Sequence, residues 1–377
     1  MSEQKTIGIV GGGQLGRMMI PPAHKLGFNV IVLDPTPNSP AGQIADKQII
    51  GSFKDEEKIK ELASQVDYMT FEIESANAKA LEDLTAQGFP VNPSAQTLAI
   101  IKDKLKQKAF LQRAHIPTSD FLPVENKQDI LDVAQKFGYP FLLKARMDAY
   151  DGRGNALIKT EQDIDAGLEK LKGRALYVEK FVPFVKELAV MVARSTVGEI
   201  MAYPVVETTH VRNICDTVVV PANVPEIATK NAKALGIKVM QELQGAGVFG
   251  IEMFLTKDNT VLVNEIAPRV HNSGHYSIEA CQTSQFEQHI RAITGMELGP
   301  TDLLIPAAAM VNILGEKEGN AEGVSDEKAK VIEGVSIHMY GKKESKIDRK
   351  MGHITAVGKT VEEALKKARE ARAAISI

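Results

Sequence analysis

Tryptophan is absent from this chain of 377 residues, and only two cysteines, Cys215 and Cys281, are present. Two cysteines are too few for a disulfide framework, and their separation is not one that zinc ligands use. We therefore expect two reduced thiols in a cytoplasmic protein. An apolar stretch of about twenty residues, the length that spans a membrane, is also absent. Because Met1 leads through polar residues into a short strand, we expect no export.

Neither sign of charge dominates the chain. Lysine and arginine number 45 and aspartate and glutamate 48, which leaves a net charge of -3. Such a chain lacks the basic field that holds nucleic acid or an anionic membrane, so we expect small-molecule partners. Apolar residues make up 44% and charged residues 25%, as in ordinary globular proteins. Because the length exceeds what one hydrophobic core organises, we expect two or three domains.

A glycine-rich loop follows the first predicted strand. Thr6 to Val10 is short and apolar, the loop runs from Gly11 to Gly16, and a second strand ends at Asp34. Glycines at this spacing bring backbone N–H groups close to an anion at a helix N-terminus. The pattern predicts a phosphate site, with a purely structural tight turn as the alternative. Since Asp34 lies where dinucleotide-binding folds place an acid on the ribose, an NAD-dependent dehydrogenase is the competing interpretation.

A second glycine-bearing loop, residues 149–154, joins predicted strands at 141–144 and 155–159. Such a loop can fold over polyphosphate, and Lys144 at its root supplies a positive charge. A plain exposed hairpin is the alternative. Further along, the backbone of strand 177–182 can recognise an adenine edge, and Glu187 can accept hydrogen bonds from ribose hydroxyls.

A hairpin of two apolar strands predicts a pair of opposed acids. The turn contains Asp258 and Asn259, which tolerate the positive φ of tight hairpins. With these two residues at the tip, Glu252 lies opposite Glu265 and Phe254 opposite Val263. Opposed carboxylates repel, and a divalent cation such as Mg²⁺ relieves the repulsion. A slip of one residue, which would put the acids on opposite faces, is the alternative.

These motifs, in this order, resemble the ATP-grasp superfamily. The run from Ala267 to Tyr276, which contains His-Asn-Ser-Gly-His, and the segment from Gly13 to Met18 resemble more specifically the 5-(carboxyamino)imidazole ribonucleotide synthetase family of purine synthesis. The resemblance spans Ile7 to His353. It implies an α/β and α+β protein: an ATP-grasp fold with an amino-terminal Rossmann-like βαβ domain and a small carboxy-terminal β-rich domain. We place these domains at residues 1–95, 96–298 and 299–377.

The resemblance also implies roles for individual residues. The ATP site would comprise Lys104, Lys144, Tyr150, Asp151, Gly152, Arg153, Gly154, Asn155, Glu179, Lys180, Phe181, Val182, Glu187, His210, Asn264 and Glu265. The ribonucleotide site would comprise Gly13, Gln14, Leu15, Glu72, Tyr150, Arg153, His271, Asn272, Ser273, Lys342 and Arg349. The catalytic residues would be Asp151, Arg153, Arg269 and Lys342. The metal ligands would be Glu252 and Glu265.

The implied reaction uses ATP with Mg²⁺, or Mn²⁺ in its place, to carboxylate an aminoimidazole ribonucleotide with bicarbonate, in a cytoplasmic homodimer. The chain departs from the family pattern at four positions: Lys104 replaces arginine, Asn155 glutamine, Ala267 asparagine and Val270 proline. Lysine at position 104 keeps the charge but loses the bidentate fork of arginine. A metal site at His210, His271 and His275 is the weaker interpretation, because their spacing is not that of zinc ligands.

Other interpretations remain open at this level. Another ATP-grasp carboxylate–amine ligase would share every nucleotide-binding feature, and a non-catalytic nucleotide sensor would be expected to lack one of the two hairpin acids. The lysines at positions 102, 104, 106 and 108 alternate along a helix and do not share one face, so we expect most of them to be solvated surface.

Overall fold

The computed structural model describes residues 4–148, 154–321 and 325–377 of the protein. No helix in these ranges is long and apolar enough to cross a membrane. The predicted site residues Tyr150, Asp151, Gly152 and Arg153 lie outside the described residues.

The amino-terminal part is a parallel sheet with helices packed against it. Four strands, in the order β3-β2-β1-β4, pair in parallel, with β1 between β2 and β4. Because β1 and β2 are buried almost throughout, they consist of consecutive apolar residues. The elements are β1 (Thr6–Val10), α1 (Gln14–Lys25), β2 (Asn29–Asp34), β3 (Lys47–Ile50), α2 (Glu56–Ala63), β4 (Tyr68–Phe71) and α3 (Ala78–Ala86).

Two helices lead into a small antiparallel sheet with the order β5-β8-β6-β7. Asp103 caps the second of these helices by accepting hydrogen bonds from the amides of Leu105 and Lys106. The elements are α4 (Ala95–Lys102), α5 (Lys104–Arg113), β5 (Phe121–Val124), α6 (Lys127–Phe137), β6 (Phe141–Ala145), β7 (Asn155–Ile158), α7 (Asp163–Lys170) and β8 (Leu176–Lys180).

The remaining segments build one large sheet of nine strands and a separate two-stranded sheet. The elements up to residue 294 are β9 (Phe184–Arg194), β10 (Ile200–Ala202), β11 (Val206–Val211), β12 (Ile214–Val220), α8 (Glu226–Leu243), β13 (Gly247–Thr256), β14 (Val261–Ala267), a 3₁₀ turn (Asn272–Gly274), α9 (Ser277–Ala280) and α10 (Gln285–Thr294). The later elements are β15 (Ala307–Leu314), β16 (Gly319–Asn320), α11 (Glu327–Lys330), β17 (Val335–Met339), β18 (Glu344–Ser345), β19 (Lys350–Gly358) and α12 (Val361–Ala373).

The strand order of the large sheet is β14-β13-β9-β11-β12-β15-β19-β17, with β10 paired to β9. In the two-stranded sheet, β16 pairs with β18. Since β15 pairs directly with β12, the carboxy-terminal strands continue the central sheet across the predicted boundary near residue 298. The three domain limits stay a prediction. One apolar core joins β1 and α1 to β9, β12, α10 and β15, which brings the glycine loop close to the carboxy-terminal segment.

The register of the β13–β14 hairpin differs in part from the sequence prediction. Glu252 pairs with Glu265, as predicted, but Phe254 pairs with Leu262, and the predicted Phe254–Val263 pair is wrong. The loop has three residues rather than two, and Asn259 has a φ of 64°. A β-bulge between Glu252 and Met253 restores the opposition of the two acids.

Candidate active site

The two acids lie side by side on the large sheet. Burial and the neighbouring Glu265 raise the pKa of Glu252 to about 7. Burial also opposes ionisation of Glu265, but Lys104 and Lys144 outweigh it and hold the pKa of Glu265 below its ordinary value. Lys104 donates a hydrogen bond directly to Glu265. One acid is therefore ionised and ion-paired, while its partner resists losing its proton near neutrality.

The two carboxylates can supply part of the coordination of a divalent cation, but by themselves they do not form a complete metal site. In the described ranges, no cluster of three or more His, Cys, Asp or Glu side chains is arranged to hold a metal ion. Two carboxylates suit Mg²⁺ when phosphate oxygens and water complete its coordination. The raised pKa of Glu252 is a sign of the like-charge conflict that such an ion relieves.

A buried ionic network lies beside the acid pair. Glu179 accepts from the ammonium groups of Lys108 and Lys144, each at 3.0 Å, and from the Ser119 hydroxyl at 2.5 Å. The two lysines hold the pKa of Glu179 far below its ordinary value, although burial opposes this. Burial lowers the pKa of Lys144, but the neighbouring Glu179 and Glu265 raise it by more. The pKa of Lys144 is therefore raised, and Lys144 stays charged.

The glycine loop at the start of α1 surrounds a carboxylate. Glu72, which follows β4, accepts hydrogen bonds from the amides of Gly13 and Gly16, the latter at 2.7 Å. A Cβ on Gly13 would lie 2.5 Å from Glu72 Oε1, so this close approach requires glycine. The amides of Gln14 and Leu15, also in the first turn, have no acceptor within the helix and suit an anion.

Asp34 is engaged by its own loop. Its two carboxylate oxygens accept from the amides of Gly12 and Thr36, each at 2.8 Å. Each oxygen therefore holds one backbone hydrogen bond and keeps a lone pair for a further donor.

A basic segment from the carboxy-terminal part faces the glycine loop. Lys342 donates to the carbonyl of Lys350 at 2.6 Å, and Arg349 donates to the carbonyl of Glu344 at 2.7 Å. Burial, together with the charge of Arg349, lowers the pKa of Lys342 to about 8. Gln43, next to α1, donates to the carbonyl of Gly341 at 2.8 Å and so ties the two segments together.

Arg269 and His271 follow β14 and line the space between the acid pair and the glycine loop. Arg269 reaches Glu74 at 3.1 Å and the carbonyl of Val270 at 3.3 Å, but its buried Nε has no partner among the described residues. The Nε2 atom of His271 lies 3.5 Å from Glu252. Burial and the charge of Arg269 lower the pKa of His271 well below its ordinary value, so its ring is neutral.

Comparisons with known proteins identify the family. Family models match at residues 4–102 (ribonucleotide synthetase preATP-grasp domain), 109–286 (ATP-grasp domain) and 308–367 (phosphoribosylaminoimidazole carboxylase C-terminal domain). The N5-carboxyaminoimidazole ribonucleotide synthase of Bacillus subtilis is 40% identical over 93% of this chain and 90% of its own length. The chain belongs to the N5-carboxyaminoimidazole ribonucleotide synthase family. The expected family and the expected ATP-grasp fold are confirmed.

Two further relatives of this synthase family are informative. The Aspergillus clavatus synthase, whose crystal structure is a complex with ADP and 5-aminoimidazole ribonucleotide, is 38% identical in sequence to this chain. The match has a TM-score of 0.92 and covers 100% of both chains. A phosphoribosylaminoimidazole carboxylase of Candida glabrata is 43% identical over 96% of this chain. The chain spans 65% of the length of that curated relative.

The structure brings many of the predicted synthase residues together. Lys104, Lys144, Glu252 and Glu265 form one charged cluster, and His210, bonded to Glu187 at 2.9 Å, lies near it. Asn264 is the extra residue of the bulge. Gly154 and Asn155 follow the residues that the structure leaves undescribed, and Asn155 pairs with Lys144 across β6 and β7.

Other predicted residues are exposed or already hold hydrogen bonds within the chain. Lys180 is exposed and lies 3.6 Å from Asp120, and Phe181 is exposed beside the half-buried Val182. The side chain of Asn272 is buried against Asn312, with which it exchanges hydrogen bonds. Ser273 binds the ring of His271 at 2.6 Å and so contacts the site through that histidine.

Some residues of the site were missed at the sequence level. The expectation that the lysines at positions 102, 104, 106 and 108 of α4 and α5 are mostly solvated is wrong: only Lys106 is exposed, while Lys108 is buried against Glu179. Gln107, between them, donates to the carbonyl of Ile266 and accepts from its amide, and so fixes the strand next to Glu265. Burial of a lysine depends on a partner from a distant strand, which no local pattern reveals.

The structure shows the surroundings of Lys104, Val270 and Ala267, three of the four departures from the family pattern. Lys104 makes its ion pair with Glu265 through a single ammonium group. Val270 is fully buried in the core shared by the amino-terminal and central sheets, where an apolar side chain packs without a hydrogen-bond requirement. Ala267 is buried at the end of β14 and pairs with Gly250.

Proposed function

We propose that this chain uses ATP and bicarbonate to carboxylate the amine of 5-aminoimidazole ribonucleotide. The products are 5-(carboxyamino)imidazole ribonucleotide, ADP and phosphate, and carboxyphosphate is the intermediate, in purine biosynthesis. The observation that carries the proposal is the placement of Arg269 and His271 between the opposed acids and the glycine loop. Relatives of the synthase family that bind ADP and the ribonucleotide support it.

The first half of the reaction transfers a phosphoryl group from ATP to bicarbonate. Mg²⁺ held by Glu252 and Glu265 would neutralise charge on the phosphates. Lys144, which Glu179 holds in place at 3.0 Å, supplies a further fixed positive charge. Because these charges are in position before the reaction, the residues stabilise the developing charge without reorganising.

Arg269 is suited to hold bicarbonate and then carboxyphosphate. Its Nε–H has no partner in the described part of the chain, while Glu74 binds Nη2 of the guanidinium and helps to orient it. A guanidinium binds planar oxyanions through parallel hydrogen bonds. The neutral ring of His271 can contact the imidazole of the substrate without repelling Arg269. Asp151, proposed to accept the proton of the amine, lies outside the described residues.

The phosphate of the ribonucleotide would lie between α1 and the carboxy-terminal segment. The amides of Gln14 and Leu15, which have no acceptor within the helix, and the charges of Lys342 and Arg349 favour an anion there. Glu72, already bonded to Gly13 and Gly16, would accept hydrogen bonds from the ribose hydroxyls.

The proposal predicts that 5-aminoimidazole ribonucleotide stimulates ATP cleavage in the presence of bicarbonate. The physical reason is that carboxyphosphate breaks down productively only when an amine is held beside it. Phosphate release is measured with the ribonucleotide, with glycinamide ribonucleotide and with amino acids as acceptors. Equal stimulation by a glycinamide or an amino acid would favour another carboxylate–amine ligase.

A second prediction concerns the ribonucleotide phosphate. Lys342→Ala and Arg349→Ala should raise the KM for the ribonucleotide about tenfold or more, since each removes a charged hydrogen bond worth about 1.5–3 kcal/mol. The KM for ATP should stay within about twofold. Because the pKa of Lys342 is about 8, the parent KM should also rise above that pH as the ammonium loses its proton.

The exposed neighbour Lys343 provides the control for this prediction. Lys343→Ala should leave both KM values unchanged, and its pH profile should follow that of the parent. A larger loss for ATP than for the ribonucleotide in the Lys342 or Arg349 variants would contradict the assigned phosphate site.

A dehydrogenase is disfavoured, because the chain belongs to the synthase family and carries its ATP-grasp domain. The homodimer and the cytoplasmic location stay predictions; sedimentation of the purified chain tests the first of them.

A further inference from the structure

One buried glutamine brackets the backbone of His271. Gln285, the first residue of α10, is fully buried. Its Oε1 accepts from the amide of His271 at 2.9 Å, and its Nε2 donates to the carbonyl of the same residue at 2.7 Å. A glutamine side chain carries one acceptor oxygen and two N–H donors, so this bracket uses the oxygen and one donor.

The other donor of Gln285 fixes the rest of the turn. Its Nε2 also lies 3.0 Å from His275 Nδ1, and its main-chain amide donates to the Ser277 hydroxyl at 2.9 Å. A Cβ on Gly274 would lie 2.5 Å from Gln285 Oε1, so a residue larger than glycine at this position would collide with the Gln285 side chain. The side chain and the main-chain amide of Gln285 together therefore hold residues 271–277 in place.

The position of this backbone decides the position and the tautomer of the His271 ring. Nδ1 lies 2.6 Å from the Ser273 hydroxyl and accepts from the Ser273 amide at 3.4 Å, which leaves the ring proton on Nε2, the atom nearest Glu252. A Cβ on Gly250 would lie 2.5 Å from the Cβ of His271, so the ring is packed directly on β13. A small shift of the backbone would move the ring from both contacts.

We infer that Gln285 is a positioning residue for the carboxylation step. It holds His271 in one orientation and one tautomer between the metal-binding acid Glu252 and the aminoimidazole. The inference rests on the proposed function, because it takes His271 as a contact of the substrate. The hydrogen bonds from Gln285 to His271 both go to the His271 backbone.

The same helix contains a matched control. Gln288 is also fully buried and brackets one residue, Gly299, by donating to its carbonyl at 2.6 Å and accepting from its amide at 2.8 Å. Gly299 is not among the residues assigned to the site. Gln288→Met therefore removes the same two kinds of hydrogen bond from α10 without releasing His271.

The experiment compares Gln285→Met with Gln288→Met in steady-state kinetics and thermal melting. Both variants should lose melting temperature, because each leaves two buried backbone groups without partners. Only Gln285→Met should lower kcat/KM for the ribonucleotide, by about a hundredfold, the size expected for a displacement of about 1 Å. Its KM for ATP should stay within about twofold of the parent value. Gln285→Glu, which keeps the shape and the acceptor, replaces Gln285→Met if that variant does not fold.

A second readout does not depend on turnover. Nitrogen NMR of ¹⁵N-histidine protein reports the tautomer of each ring, and a His271→Gln sample assigns the His271 signals among the eight histidines. The parent should show Nδ1 unprotonated, whereas Gln285→Met should show a mixture of tautomers and Gln288→Met the parent pattern.

Two outcomes would overturn the inference: an equal kinetic loss in Gln288→Met, or parent kinetics and a parent tautomer in Gln285→Met. If the parent protein shows no ribonucleotide-dependent ATP cleavage, the proposed function fails instead, and the NMR comparison still decides whether Gln285 positions His271.

Discussion

Glu265→Gln is expected to lower ATP cleavage by about a thousandfold, which corresponds to roughly 4 kcal/mol of lost transition-state stabilisation. The variant removes the ionised member of the acid pair, to which Lys104 donates. Mg²⁺, if held as proposed, would then lack one of its two protein ligands. Phosphate release at saturating Mg²⁺, ATP, bicarbonate and ribonucleotide measures the effect. Turnover near that of the parent would show that Glu265 is structural.

Glu252→Gln should cost activity to a similar degree but should affect the metal-free protein differently. Because opposed carboxylates repel, loss of either acid would be expected to stabilise the metal-free folded protein. The structure assigns this stabilisation to the loss of Glu252. Glu265 is stabilised by Lys104 and Lys144, whereas the pKa of Glu252 is raised to about 7. Without metal, Glu252→Gln should melt no lower than the parent, and Glu265→Gln should melt lower because it leaves Lys104 without its partner.

The pH dependence of stability separates the two acids. Between its unfolded pKa of 4.5 and about 7, Glu252 binds more proton in the folded state than in the unfolded state. The contribution of Glu252 to the free energy of unfolding of the parent protein therefore falls as the pH rises through that window. The difference between Glu252→Gln and the parent should grow in favour of the variant from pH 5 to pH 8. Metal-free melts measure it, and Glu333→Gln, an exposed carboxylate, is the control.

Arg269→Met should lower ribonucleotide-dependent carboxylation by at least about a hundredfold, because loss of one preorganised oxyanion donor costs roughly 3 kcal/mol. The buried Nε has no partner in the described residues, while Glu74 binds Nη2 of the guanidinium. Arg269→Lys should also fail, since an ammonium lacks the planar fork. Incorporation of labelled bicarbonate measures the loss.

The KM for bicarbonate distinguishes this role from a structural one. It should rise in Arg269→Lys while the KM for ATP changes little. Arg291→Lys, at an ion pair with Glu287 on α10, is the matched control and should match the parent. An unchanged KM for bicarbonate in Arg269→Lys would place the anion elsewhere.

Local sequence patterns were sufficient for several elements of the site. Consecutive apolar residues followed by glycine predict the strand ends and the glycine loop after β1. The opposition of Glu252 and Glu265 was also predicted, although by a two-residue turn that does not form. The three-residue loop shifts the register by one, and the bulge at Glu252 shifts it back. A bulge depends on the neighbouring strand and helix, so turn chemistry alone could not reveal it.

The sequence by itself determined the family and the fold class and predicted most of the charged residues of the candidate site, because these depend on residue types at fixed spacing along the chain. Only the tertiary structure decided which of those groups meet. It buried Lys108 against Glu179, placed Glu72 on the amides of the glycine loop and continued the central sheet into the carboxy-terminal strands. It also closed the side chain of Gln285 around His271, fourteen residues earlier in the chain. These contacts join distant segments, and their cause is the need of buried polar groups for partners, which spacing along a sequence does not specify.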